Sequence, residues 1–208
     1  MEPIAELAHD LRMPLQLMLS CAQLLRAEPG VADTPARAYA DLLMDSVRAA
    51  QDMLERRLEP AGPARREAVE LSGHLRRLCL RCQPEARARG VRLTFCANAE
   101  PLAALLDAAA LDRILMNLIA NALRFTPPGG TVLLRLRALG DAAEIDVADD
   151  GPGIPPEKLD KVFLEGETTG GHGLGLPIAA ALARQLGGAL TAASAPGKGA
   201  TFTLRLKL

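Results

Sequence analysis

Asn117, Asn121 and Arg124 are the residues whose types and spacing speak most directly of chemistry. They step by four and then three, so they line one edge of a single helix. Neutral amide oxygens ligate a hard cation that keeps most of its water, and a guanidinium pairs with phosphate oxygens. The edge therefore suits a hydrated metal and a polyphosphate. A solvated helix face fits the same three residues, and glycine-rich sequence further along decides between the two. Asp149-Asp150-Gly151-Pro152-Gly153 follows a strand-like run. Its glycines let backbone approach a ligand, and an aspartate at a strand end accepts a hydrogen bond from an exocyclic amine. Gly171-His172-Gly173-Leu174-Gly175-Leu176 leads into a helical pattern, where amide groups and a helix N-terminus suit an anion. Each run alone is weak evidence. In this order, after the asparagine edge, the three together are specific.

The elements that must hold these residues follow from periodicity. Leu111, Ile114, Leu115, Leu118, Ile119 and Ala122 recur at helical spacing and predict a helix over 111–126 with one buried stripe beside the asparagine edge. Alternation predicts strands over 91–97, 131–137, 143–148, 190–193 and 200–207, with shorter ones near 69–71 and 102–106, and helices over 75–89 and 174–186. Strands and helices mix, so the expected class is α+β, an α/β sandwich with a mostly antiparallel mixed sheet. Before residue 59 the pattern is helical only. Ile4, Ala8, Leu11, Leu15, Met18, Ala22 and Leu25 form a heptad seam, Pro29-Gly30 ends it, and Ala40, Leu43, Val47, Ala50 and Leu54 form a second. Two helices and a short turn make an antiparallel hairpin. A second copy would complete a four-helix bundle, so a homodimer is expected. Glu59-Pro60-Ala61-Gly62-Pro63 breaks the helix, which divides the chain into 1–62 and 63–208.

Bulk properties narrow the partners. At net charge -1 and 2% aromatic residues, the chain offers neither a basic field nor stacking platforms, so nucleic acid is excluded as an expected partner. No apolar run is long enough to span a bilayer, and the expected location is cytoplasmic, with no membrane contact in this chain. Cys79 and Cys82 share a helical face, and His74 and Cys96 supply the types needed for a four-ligand zinc set. Small buried hydrophobes, or a redox switch, fit the same cysteines.

Residues 63–208 resemble the ATP-binding domain shared by bacterial histidine kinases, Hsp90, type II topoisomerases and mismatch-repair MutL proteins. NLIANALRFTPPGG is similar to the N box, DDGPGIP to the first glycine box, GHGLGL to the second and GKGATF to the terminal glycine motif. The resemblance implies that Asn121 holds Mg2+, that Asn117 lies near the phosphates and that Arg124 pairs with them. It implies that Asp149 contacts the adenine amine and that Gly151, Gly153, Gly171, Gly173, Leu174, Gly175, Leu176 and Thr201 shape the ATP pocket and its lid. Glu6-Leu7-Ala8-His9-Asp10-Leu11-Arg12-Met13-Pro14 resembles the H box of histidine kinases, with His9 as phosphoacceptor and Asp10 accepting a proton or fixing the imidazole tautomer. By that resemblance the chain is a dimeric histidine kinase core that passes phosphate from His9 to an aspartate on a response-regulator receiver domain.

Three departures bear on activity. Met13 stands where the family usually has asparagine or threonine, which predicts a poor phosphatase. The lid between Pro155 and Gly171 is short, with Phe163 its only aromatic, and His172 replaces a usual small residue. These leave a histidine phosphotransfer protein or pseudokinase as the alternative, while a serine kinase of the anti-sigma type lacks an H-box hairpin. His9 lies near the chain start, so a catalytic fragment, or a protein that borrows its input, is expected; a sensor region elsewhere would be free to sit in a membrane.

Overall fold

A computed structural model describes residues 66–98, 102–159, 161–164 and 175–208, and before them 15, 17–25, 30, 34, 36–37, 39–40, 43, 47 and 50. His9, Asp10 and Met13 lie outside the described residues, as do Gly171, His172, Gly173 and Leu174. The chain divides into two compact units, the larger comprising Ala64–Glu167 and Gly175–Leu208. In the smaller, residues 17–25 are helical, as are the described positions between 36 and 50. Ala22, Ala40 and Val47 are buried there, whereas Leu17, Met18, Leu24, Leu25, Tyr39 and Leu43 are exposed.

The larger unit is α+β. In chain order it runs β1 (Glu67–Glu70), α1 (Leu71–Ala88), β2 (Arg92–Ala97), β3 (Ala103–Leu106), α2 (Ala108–Phe125), β4 (Thr131–Leu139) and β5 (Ala142–Asp149). A short α3 (Pro156–Leu159), α4 (Gly175–Gln185), β6 (Ala189–Ser194) and β7 (Ala200–Lys207) complete it. Among the described residues five strands form one mixed sheet in the order β2-β4-β5-β7-β6, parallel only between β2 and β4; β1 and β3 pair separately. Strand alternation sends Val132, Leu134, Leu136, Ile145, Val147, Phe202 and Leu204 to the helix side, where all are buried.

The asparagine helix forms for identifiable reasons. Asp107 caps α2 by accepting from the backbone N–H of Ala109 at 2.9 Å and Ala110 at 3.0 Å. Leu111, Ile114, Leu115, Leu118, Ile119 and Leu123 are each at most 1% exposed, and burying each such side chain contributes about 1.5–3 kcal/mol. At the other end Thr126 is buried and returns its hydroxyl to the Ala122 carbonyl at 2.7 Å. Glu70 caps α1 in the same way, donors Ser72 and Gly73 lying at 2.9 and 2.6 Å. Pro84 sits inside α1 on its exposed side.

The outer sheet face carries ion pairs. Asp146 is 1% exposed and is held by Arg135 Nε at 3.0 Å, by Arg137 at 3.0 Å and by the Thr203 hydroxyl at 2.8 Å. Every partner donates to the carboxylate, which offsets the cost of removing it from water.

Candidate functional site

The site lies where the end of α2 meets the ends of β5 and β7. Asp149 is the last residue of β5, paired in register with Ala200 at the start of β7. Its Oδ1 accepts from the Gly151 N–H at 2.8 Å and the Ala200 N–H at 3.3 Å. Both bonds fall on one oxygen, and Oδ2 accepts none among the described residues. Burial pushes the carboxyl above the ordinary carboxylate range, the two N–H groups pull it back down, and Asp150 adds a smaller upward push. A half-buried carboxylate with one oxygen fixed and the other open is a directed acceptor for an amine.

Backbone contacts lace the two glycine stretches together. Gly197 N–H donates to the Pro152 carbonyl at 2.7 Å. The Ser194 hydroxyl accepts from Ile154 N–H at 2.8 Å and donates to the Gly199 carbonyl at 2.6 Å. Gly153 has φ +74 and a Cβ there would run into the Ala195 carbonyl; Gly199 has φ +69 and a Cβ would run into that of Asp149. Only glycine meets both demands. Gly151 lies against the end of α2, where an added Cβ would come 3.2 Å from the Phe125 carbonyl.

The asparagine edge closes the other side. Asn117 and Asn121 are half-buried on α2, and among the described residues neither amide has a hydrogen-bond partner. Gly175, which opens α4, lies beside Asn117, 3.6 Å separating an added Cβ from its Oδ1. Arg124 is half-buried with its guanidinium 5.5 Å from the Phe125 ring centroid, and it makes a further interaction. Two unpaired amides on a half-buried edge fit a hydrated divalent cation with polyphosphate, since those ligands supply the missing partners. Phe163 stands edge-on to Phe202, ring centroids 6.3 Å apart.

The structure thus sets Gly151 beside Asp149 and the end of α2, Gly153 against Ala195 and Gly175 beside Asn117, and Leu176 packs on the core. Thr201 pairs with Ala148 on the outer sheet face, away from α2, because strand alternation carries it there. Ala200, one residue earlier, is the neighbour of Asp149. The zinc set does not assemble either. His74 Nε2 is bonded to Asp112 at 2.7 Å, and Cys96 is exposed on the outer face of β2 while Cys79 and Cys82 are buried on the helix side. Ser194 was not singled out from the sequence, where a serine before Ala-Pro-Gly looks like any turn residue.

Comparison with known proteins agrees with this geometry. Residues 106–208 match the family described as histidine kinase-, DNA gyrase B-, and HSP90-like ATPase. The chain is 34% identical over 217 residues to the sensor protein TorS of Escherichia coli (strain K12), covering 99% of this chain and 24% of TorS. Among solved structures it is similar to full-length ShkA in complex with AMPPNP, at TM-score 0.72 and 29% identity, covering 99% of this chain and 45% of that one. Histidine kinase ThkA in complex with response regulator protein TrrA shares the fold, at TM-score 0.66 and 20% identity over 99% of this chain and 61% of that one. The chain thus spans about a quarter of TorS and under half of ShkA. Among the described residues no helix is long and apolar enough to cross a membrane. Residues 106–208 therefore belong to the histidine kinase-, DNA gyrase B- and HSP90-like ATPase family, and with the similarity to sensor histidine kinases they form a histidine kinase catalytic ATPase region.

Proposed function

We propose that the chain is a dimeric, Mg-ATP-dependent protein-histidine kinase that phosphorylates His9 and passes the phosphoryl group to an aspartate of a response-regulator receiver domain. The observation that carries this reading is the pairing of an adenine-type acceptor at Asp149 with two unpartnered amides on α2. Asp149 Oδ2 accepts from the adenine amine. Asn117 and Arg124 face the phosphates, and Asn121 holds the metal. Bound Mg2+ supplies charge neutralisation at the phosphates. The protein's own part is positioning: fixed donors and acceptors hold the γ-phosphate for the imidazole nitrogen of His9, while Asp10 keeps the imidazole in the reactive tautomer. The reaction breaks the γ-phosphate bond to ADP and forms a P–N bond, and the receiver carboxylate later displaces the imidazole.

Division into 1–62 and 63–208 belongs to the same reading, as do a cytoplasmic location and a homodimer. Exposure of Leu17, Met18, Leu24, Leu25, Tyr39 and Leu43 supports the dimer, because a lone hairpin leaves these apolar side chains in water. TrrA bound to ThkA supports the receiver as partner. Met13 lacks a group to orient water, so the enzyme is a donor of phosphate to its regulator and a poor remover of it.

Incubation of the chain with γ-labelled ATP and magnesium tests the proposal. Label that survives base, is lost in acid and is absent from His9→Gln supports it. A chain that binds ATP yet takes up no label is a pseudokinase or phosphotransfer protein, and contradicts it.

A further inference from the structure

Two sulfur atoms unused by the nucleotide site meet between α1 and α2, and a third stands one turn away on α1. Cys79 and Cys82 stand one turn apart on α1, each 5% exposed. Met116 on α2 brings its Sδ to 3.7 Å from Cys82 Sγ, and at 39% exposure it opens the cluster to solvent. A disulfide needs Cβ atoms about 3.5–4.5 Å apart. Helix positions i and i+3 hold them roughly 5–6 Å apart. The two thiols are therefore better placed to share a ligand than to bond each other.

The donor set discriminates among metals. Zinc takes four ligands from Cys, His and carboxylate. Here His74 is committed to Asp112, and among the described residues no three His, Cys, Asp or Glu gather around a metal position. What completes the set is a thioether, a soft neutral donor suited to a soft monovalent ion. Two sulfurs about 2.3 Å from one ion, at about 109–120°, stand roughly 3.8–4.0 Å apart. The Cys82–Met116 separation of 3.7 Å is close to that without rearrangement.

We infer that Cys79, Cys82 and Met116 form a three-sulfur site for a soft monovalent cation of the Cu(I) class, tying α1 to α2. Binding moves no electron: Cu(I) displaces the two thiol protons and accepts a lone pair from each sulfur. Burial pushes both thiols up from their ordinary range. Around Cys82, Glu85, Cys79 and Asp112 add to that push, and Arg81 opposes it; Gln83 opposes it at Cys79. Affinity consequently rises with pH, as each bound ion must release protons.

The test is an anaerobic, nucleotide-free titration of the full chain with Cu(I) against a chromophoric Cu(I) chelator. The expected result is one ion held per chain, with two protons released. Binding is lost in Cys82→Ala and kept in Cys21→Ala and Cys96→Ala. Met116→Leu conserves volume at a partly exposed position and so preserves the fold. It should weaken binding by about 10-fold or more, the scale seen when even an outer contact to a metal ligand is removed. A bound ion that survives Cys82→Ala, Met116→Leu binding like the wild type, or failure of the wild type to compete with the chelator would each overturn the inference. No nucleotide is present, so the outcome is independent of the kinase reading.

Discussion

The two ends of the nucleotide site are built differently. At the Asp149 end the protein satisfies itself: Oδ1 takes two backbone N–H groups, and Ser194 and Gly197 tie the flanking loops. On the asparagine edge, 117 and 121 point amides that nothing described satisfies. The first end is organised by the protein's own bonds, while in the proposed reading the second is completed by the ligand. That division suits a nucleotide: a rigid planar base is recognised by a fixed acceptor, and a flexible hydrated metal-phosphate group by side chains that adjust. It also predicts different responses to perturbation.

The largest effect should come from breaking the organised end. Gly153→Ala places a Cβ against the Ala195 carbonyl at positive φ and should cost about 2–4 kcal/mol of folding stability, read as a lowered urea midpoint. A midpoint equal to wild type would show that this end is not rigid. Asn121→Ala, on the unsatisfied edge, should leave that midpoint nearly unchanged, because no internal bond is lost. Next comes pH. The raised pKa means Asp149 takes up its proton at higher pH than an ordinary carboxyl. Adenosine affinity should therefore fall, as pH is lowered from neutral, sooner than for an unshifted aspartate, and Asp149→Asn should lack that step. For stability the sign is the same as for any acid with a raised folded pKa: protonation favours the folded state, and that contribution is lost as pH rises through the folded value. Parallel profiles for wild type and variant would remove the assignment. The smallest effect belongs to Asp112→Asn. It loosens the contact of Asp112 on α2 with His74 and Arg81 on α1, a part-exposed contact worth about 1 kcal/mol or less, and should leave nucleotide affinity unchanged.

Much of this was legible because local pattern and burial coincide. The stripe from Leu111 to Ala122 predicts α2, and all of its residues are buried. The strands over 131–137 and 143–148 are found within β4 and β5, and the predicted 174–186 helix is found as Gly175–Gln185. Residues on one α2 edge could be named as a site because helix spacing fixes their mutual placement. What spacing could not give is long-range partnership. The parallel pairing of β2 with β4, the ion pairs around Asp146 and the Ser194 clasp all join residues far apart in sequence. The α3 helix spans 4 residues, too few to show a period. Nor does spacing say which face of β7 Thr201 takes, since on a strand one residue reverses the face.

The central claim is that Asp149 reads the base while Asn121 reads the metal-bound phosphates. Calorimetric titration of a non-hydrolysable ATP analogue, with and without magnesium, tests it directly on Asp149→Asn and Asn121→Ala. Asp149→Asn should lose about 1.5–3 kcal/mol, or roughly 10- to 150-fold, in both conditions. Asn121→Ala should lose affinity only when magnesium is present. Unchanged affinity in Asp149→Asn, or an equal loss for Asn121→Ala without magnesium, would contradict the account.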